Sequence, residues 1–117
     1  MEQFKLHTRT SGDFSVVDLY GELDAHTAPR LEEVFQHLIA EQQYHIIVNC
    51  TNLTYISSAG LGVFMAYIEE VRQHSGDIKL TNMNSKVYNV FDLLGFPTLY
   101  DILPDENEAI SQFNNSK

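Results

Sequence analysis

Thr54-Tyr55-Ile56-Ser57-Ser58-Ala59-Gly60-Leu61-Gly62 stands between the β-branched run Ile46-Ile47-Val48 and the apolar residues Leu61, Phe64, Met65, Ile68 and Val71. The run is bounded by polar residues and predicts a buried central strand, while the later apolar residues share one helical face. The stretch between them is small and hydroxyl-rich where that helix begins. A strand that feeds a helix is half of a β-α-β crossover, so this reading selects an α/β fold.

Upstream, Phe4-Lys5-Leu6 and Phe14 through Tyr20 read as strands joined by the turn residues Ser11-Gly12-Asp13, an antiparallel hairpin whose second strand Gly21 is expected to close. Thr27 precedes Ala28-Pro29, where a hydroxyl can cap a helix and proline fits the first turn. Leu31, Val34, Phe35, Leu38 and Ile39 follow as one apolar stripe. Downstream, the second helix is expected to end before Ser75-Gly76-Asp77 with His74 near its negative end, and Ile78 and Leu80 alternate with polar neighbours as a short strand. Val87, Val90, Phe91 and Leu94 mark a third helix stopped by Gly95 and Pro97, and Ala109, Ile110 and Phe113 a short last one. The end Asn114-Asn115-Ser116-Lys117 is expected to fray. The sum is one domain over residues 1–117, with a mixed β-sheet of four to five strands, an opening hairpin and about four helices.

With 117 residues and 44% apolar composition, the chain can bury one real core but not two. Sixteen acidic against seven basic residues give a formal charge of -9, which removes counterion release from a phosphate backbone as a driving force, so no nucleic acid is expected as partner. The same charge speeds association with a basic protein surface and repels an anionic membrane, although acidity also serves plain solubility. Cys50, the only cysteine, has no partner for an internal disulfide and suits a small buried position. Met1-Glu2-Gln3-Phe4-Lys5 lacks the blocks of a signal peptide, and no apolar stretch approaches the roughly 20 residues that span a bilayer. A cytoplasmic protein without membrane contact is the expectation.

Chemistry concentrates at two places. At the start of the second helix the first N–H groups lack intrahelical partners and the dipole is positive, so Ser57 or Ser58 there could carry a phosphate, and Gly60 and Gly62 would admit another protein's backbone. Capping by the serines and packing by the glycines explain the same residues, and on spacing alone they are the commoner explanation. The stretch lacks the lysine of a phosphate-binding loop, a third glycine at dinucleotide spacing and a G-x-S-x-G elbow. His7, His26, His37, His45 and His74 are scattered without metal-ligand spacing. Neither catalysis nor a cofactor or metal is expected. The second place is Gly21-Glu22-Leu23-Asp24, where Glu22 and Asp24 either favour the first helix start or form an acidic edge toward a basic partner. Both loops lead from a strand into a helix, so if those strands are parallel neighbours the loops open at the same end of the sheet.

Gly21-Glu22-Leu23-Asp24 and Ser58-Ala59-Gly60-Leu61-Gly62, supported by Val90-Phe91-Asp92-Leu93-Leu94-Gly95-Phe96, resemble STAS domains of the bacterial anti-anti-sigma factor type over nearly the whole chain. That family's serine segment usually reads D-S-[ST]-G-[LI]-G. Registered on Gly60-Leu61-Gly62, the resemblance implies Ser58 as the phosphorylated serine. Ser57 stands where aspartate is usual and Ala59 where a second hydroxyl is usual, which leaves Ser57 as a competing acceptor. The resemblance further implies a partner surface made of Glu22, Asp24, Ser57, Ser58, Ala59, Gly60 and Gly62. The unphosphorylated antagonist would bind an anti-sigma factor that is often also a serine kinase, and a metal-dependent PP2C-type phosphatase would restore it. The kinase would supply ATP and magnesium, so the chain needs no cofactor of its own. A STAS module in another assembly, such as a lipid-transport complex, is the alternative. The sigma factor and the oligomeric state are left open.

Overall fold

The turn at Ser11-Gly12-Asp13 folds β1 (Lys5–Ser11) antiparallel onto β2 (Phe14–Leu23), with Thr8 opposite Val17. This computed structural model describes residues 4–115; residues 1–3, part of the segment compared with a signal peptide, and residues 116–117 lie outside them. After β2 come α1 (Ala28–Ala40), β3 (His45–Ile56), α2 (Ser58–Gln73), β4 (Asp77–Thr81), α3 (Ser85–Leu93), a 3-10 turn at Phe96–Thr98, β5 (Ile102–Leu103) and α4 (Glu106–Asn115). The sheet order is β1-β2-β3-β4-β5, with every pair after the hairpin parallel. The result is a single α/β domain with a five-stranded mixed sheet and four helices.

Strand alternation divides the core in two. Val17, Leu19, Ile46, Val48, Ile78 and Leu80 face α1, α2 and α3. On that side α1 buries Ala28, Leu31, Phe35 and Leu38, and α2 buries Leu61, Phe64, Ile68 and Val71, each at helical spacing. Val16 and Ile47 face the other way, onto Ala109 and Phe113 of α4. The helix starts are set locally: Asn84 Oδ1 accepts from Val87 N–H at 2.8 Å for α3, and Asp105 Oδ1 from Glu108 N–H at 2.9 Å for α4.

Several expectations need correction. Gly21 does not close β2; with φ 87° it sits between two register shifts against β3, and the strand resumes through Glu22 and Leu23. β3 runs far past Val48, so Thr54-Tyr55-Ile56 belongs to the strand rather than to the loop. Phe4 is buried but precedes β1, and a fifth strand forms from two residues that carry no periodic signal. Lys79, the polar residue between Ile78 and Leu80, is only 3% exposed; it lies 4.7 Å from the Phe113 ring and bonds Asp77 at 3.1 Å and Asp101 at 2.6 Å. Leu94 follows the end of α3 and is exposed rather than part of its stripe. Of the end expected to fray, Asn114 and Asn115 are the last residues of α4, whose Phe113 packs against Phe14 and His45, and Ser116 and Lys117 lie outside the described residues.

A polar cluster ties α4 to the sheet. Arg9 of β1 grips Asp18 of β2 through two nitrogens, at 2.8 and 3.0 Å, and also reaches Glu106 in the first turn of α4. Asn49 of β3 donates to Glu106 at 2.9 Å. Hydrogen bonds from Arg9, then from Asn49, hold the Glu106 carboxyl below its ordinary value near 4.5, against the opposite pull of burial. A carboxyl whose folded value is depressed adds stability above the unfolded value and loses it as pH falls through the folded one. Glu106→Gln is therefore expected to lower stability at neutral pH by about 1 kcal/mol and to flatten the acid side of the stability curve below about pH 4.5. Urea unfolding across that range checks this, and an unchanged acid slope would contradict it.

Candidate partner-binding site

β2 and β3 are parallel neighbours that end together, Leu23 opposite Ile56, so the turn after each opens at the same end of the sheet. One main-chain oxygen joins the two turns. Leu23 O accepts from Ser57 N–H at 2.9 Å, and a Cβ on Gly60 would stand 3.0 Å from the same oxygen and 2.9 Å from Leu23 Cγ. Gly60 is thus a packing glycine. Gly62 is different: it is exposed, and a Cβ there would meet nothing within 4 Å.

Ser57 precedes α2 with extended backbone, φ -104° and ψ 173°, and Leu61 N–H closes the first helical turn onto its carbonyl at 3.1 Å. Its hydroxyl makes no cap bond; it is buried and unpartnered. Ser58 is the first helical residue and is exposed, as is Ala59. The two serines expected to compete as acceptors therefore differ in access. A phosphate on Ser58 would lie in solvent beside the positive end of the helix, whereas one on Ser57 would require the turn to open.

Asp24 is engaged locally. Its Oδ1 accepts from His26 N–H at 2.9 Å and Thr27 N–H at 3.1 Å, while Asp24 N–H donates to Thr27 Oγ1 at 2.9 Å. This reciprocal pairing of Asp24 with Thr27 has the form of a capping box, and Ala28 N–H follows onto Asp24 O at 2.8 Å. The Thr27 and His26 N–H bonds hold the Asp24 carboxyl below its ordinary range, so it is an anion at neutral pH. Thr27 itself makes no side-chain cap bond to its own helix; its hydroxyl bonds Glu22 O at 2.9 Å. Glu22 is exposed and lies opposite Tyr55 in the β2–β3 register.

The fold thus gathers Glu22, Asp24, Ser57, Ser58, Ala59 and Gly60 at one end of the sheet, with Gly62 one turn down the outer side of α2. Two large exposed residues in this region escaped the sequence reading: Tyr55, 45% exposed, and Met65, 48% exposed. Tyr55 would have been found had β3 been read to its full length. Met65 was counted in the apolar stripe of α2, but it stands one residue off the buried set Leu61, Phe64 and Ile68.

A family model for the STAS domain matches residues 5–109. The anti-sigma-B factor antagonist of Staphylococcus epidermidis is 31% identical over 97 residues, covering 83% of this chain and 90% of that protein. The solved anti-sigma factor antagonist from Mycobacterium paratuberculosis matches with TM-score 0.87 over 96% of this chain and 95% of that one, at 20% identity, a likeness of fold. The Bacillus cell fate determinant SpoIIAA in its phosphorylated form matches with TM-score 0.70 at 25% identity, over 94% of this chain and 98% of that one.

The two glycines of the turn should separate cleanly on substitution. Gly60→Ala pushes a methyl into the Leu23 carbonyl and should cost about 1–3 kcal/mol, whereas Gly62→Ala meets open space within a helix and should gain up to about 1 kcal/mol. Chemical denaturation of both variants reads the difference; equal effects would mean that Leu23 does not hold the turn.

Proposed function

The chain belongs to the STAS domain family, and from that membership we propose that it acts as an anti-sigma factor antagonist whose binding is switched by phosphorylation of Ser58. The observation that carries the choice of residue is the contrast between the exposed Ser58 and the buried hydroxyl of Ser57. The curated Staphylococcus relative supports the role, and the relative solved in a phosphorylated form supports the chemistry of the switch. On this reading the chain works in the cytoplasm as ligand and substrate, not as catalyst. An anti-sigma factor with serine kinase activity binds and then phosphorylates it, drawing on ATP and magnesium, and a PP2C-type phosphatase reverses the step.

The physical account turns on sign. A phosphate brings about -1.5 to -2 charge at pH 7 to a rim that already holds Glu22 and Asp24. Toward its own helix the new charge is favourable by about 0.3–1 kcal/mol. Toward a partner surface matched to a neutral hydroxyl it must be desolvated and crowded against two carboxylates. Binding switches while the fold persists. Gly62 adds the second requirement of a switchable interface: an exposed helical position at which a partner's backbone can come close to the serine.

With the cognate kinase and ATP, Ser58→Ala should abolish labelling and Ser57→Ala should leave it. The phosphoprotein should unfold at or slightly above the temperature of the unmodified protein and bind the anti-sigma factor at least tenfold more weakly, which corresponds to about 1.4 kcal/mol. Asp24→Asn, which keeps an oxygen for the Thr27 cap, should slow association and reduce its salt dependence. Labelling that follows Ser57, or a phosphoprotein that binds undiminished, would overturn the assignment.

A further inference from the structure

β1 is an edge of the sheet: β2 takes one side of it, and among the described residues no strand takes the other. In an antiparallel edge strand every second residue turns its N–H and C=O outward, and such an edge accepts another strand unless something blocks it. β1 has neither proline nor bulge, and its pairing with β2 is unbroken from Lys5 to Ser11. Of its two basic side chains, Lys5 is exposed at the start of the strand, while Arg9, beside the middle of the edge, is held by Asp18 and Glu106 and so is committed to the cluster under α4.

Beside that edge, between Thr8–Thr10 and the flank of α1, runs a groove of about 570 Å³. Val34 and Leu38 give it an apolar floor. Glu33, His37 and Glu41 line its wall, exposed and at four-residue intervals on one side of the helix. Among the described residues neither Glu33 nor Glu41 has an ion-pair partner. An open strand edge therefore lies beside an apolar trough with two unneutralised carboxylates.

We propose that β1 is a docking edge where an extended basic segment of another protein adds to the sheet as a further strand. This surface is separate from the Ser58 site. Its dimensions specify the pattern of the segment. Glu33 and Glu41 are eight residues apart, about 12 Å along the helix at 1.5 Å per residue, and a strand covers about 13 Å between residues i and i+4. Residues i, i+2 and i+4 share one face of a strand. The matching segment reads basic, any, apolar, any, basic, with the apolar residue over Val34 and Leu38 and the basic ones against Glu33 and Glu41. A second copy of this chain does not fit: pairing two β1 edges would bring two Glu33–Glu41 walls together on molecules that each carry a charge of -9.

The test uses the full chain, isotope-labelled for amide NMR, and the capped peptide Thr-Lys-Thr-Val-Thr-Lys-Thr. Shifts are expected in Lys5–Ser11 and along the α1 flank, with none for the same peptide carrying glutamate in place of lysine. Glu33→Lys combined with Glu41→Lys should weaken binding at least tenfold; both residues are exposed, and circular dichroism checks that the fold is kept. Methylating alternate peptide nitrogens should abolish binding in one of the two registers, which separates strand addition from loose charge attraction. No shift in β1 at millimolar peptide, equal binding of the acidic peptide, or shifts centred on Ser58 would overturn the proposal. So would a dimer in sedimentation equilibrium whose formation shifts or broadens the amide signals of Lys5–Ser11, because that places a second copy on the edge.

Discussion

The carbonyl oxygen of Leu23 is the point on which the arrangement of the candidate site depends. It ends the parallel pairing of β2 with β3, receives the N–H that positions Ser57, and leaves room only for hydrogen at Gly60. The register that brings it there is reached only after two shifts between β2 and β3, each with the extra residue on β3, and Gly21 of β2 lies between them. Such irregularities re-aim the end of a strand, and here the re-aimed end of β3 carries Ser58 to the same rim as Glu22 and Asp24. The acidic loop and the serine turn are one structure built around a shared main-chain bond, so neither can move without the other.

The two faces of the sheet are stabilised by different means. The face under α1, α2 and α3 is an apolar core in which Phe35, Phe64 and Phe91 meet edge to face. Among the described residues only α4 covers the opposite face, and α4 buries just Ala109 and Phe113 deeply. Polar groups complete that side: charged Arg9, Asp18 and Glu106 with the Asn49 amide at the start of α4, and Lys79 with Asp77 and Asp101 beneath Phe113. A buried ammonium is tolerated only with such partners, and removing one leaves the others uncompensated. The last helix is therefore placed by directional bonds as much as by apolar area, which explains why a tail rich in Asn and Ser stays helical to Asn115.

Elements that bury a regular stripe were legible from sequence. Leu31, Phe35 and Leu38, or Leu61, Phe64 and Ile68, repeat as a helix requires, and the two motif loops were placed at one end of the sheet by topology alone. Failures fell where polar residues take part in the core. β3 looked finished at Val48 because Asn49, Thr51 and Asn52 interrupt the alternation, and the strand continues through them because its pairing with β2 resumes beyond the bulge. The burial of Lys79 between Ile78 and Leu80 has no mark in the alternation, because the two carboxylates that make it tolerable, Asp77 and Asp101, are brought to it by the fold. At the candidate site the residue types were readable but not their access: nothing in Ser57-Ser58 says which hydroxyl is buried, since that is decided by the Leu23 contact from another strand.

Charge placed at Ser58 acts locally, and this bears on how many partners one small domain can hold. The Debye length at physiological ionic strength is about 8 Å. Two strand spacings separate β3 from β1, about 10 Å, and Glu41 lies about 20 Å along α1 from Ala28. A phosphate at the head of α2 therefore repels or attracts groups at its own rim and is largely screened from the acidic wall beside β1. The negative net charge of the chain does not make its surface uniform in function. On the proposed reading, added negative charge at the serine rim would oppose a partner fitted to a neutral hydroxyl, while the fixed carboxylates along α1 would favour a basic one. A segment docked on β1 as proposed would leave the Ser58 rim uncovered, because the two surfaces lie on different strands of the sheet.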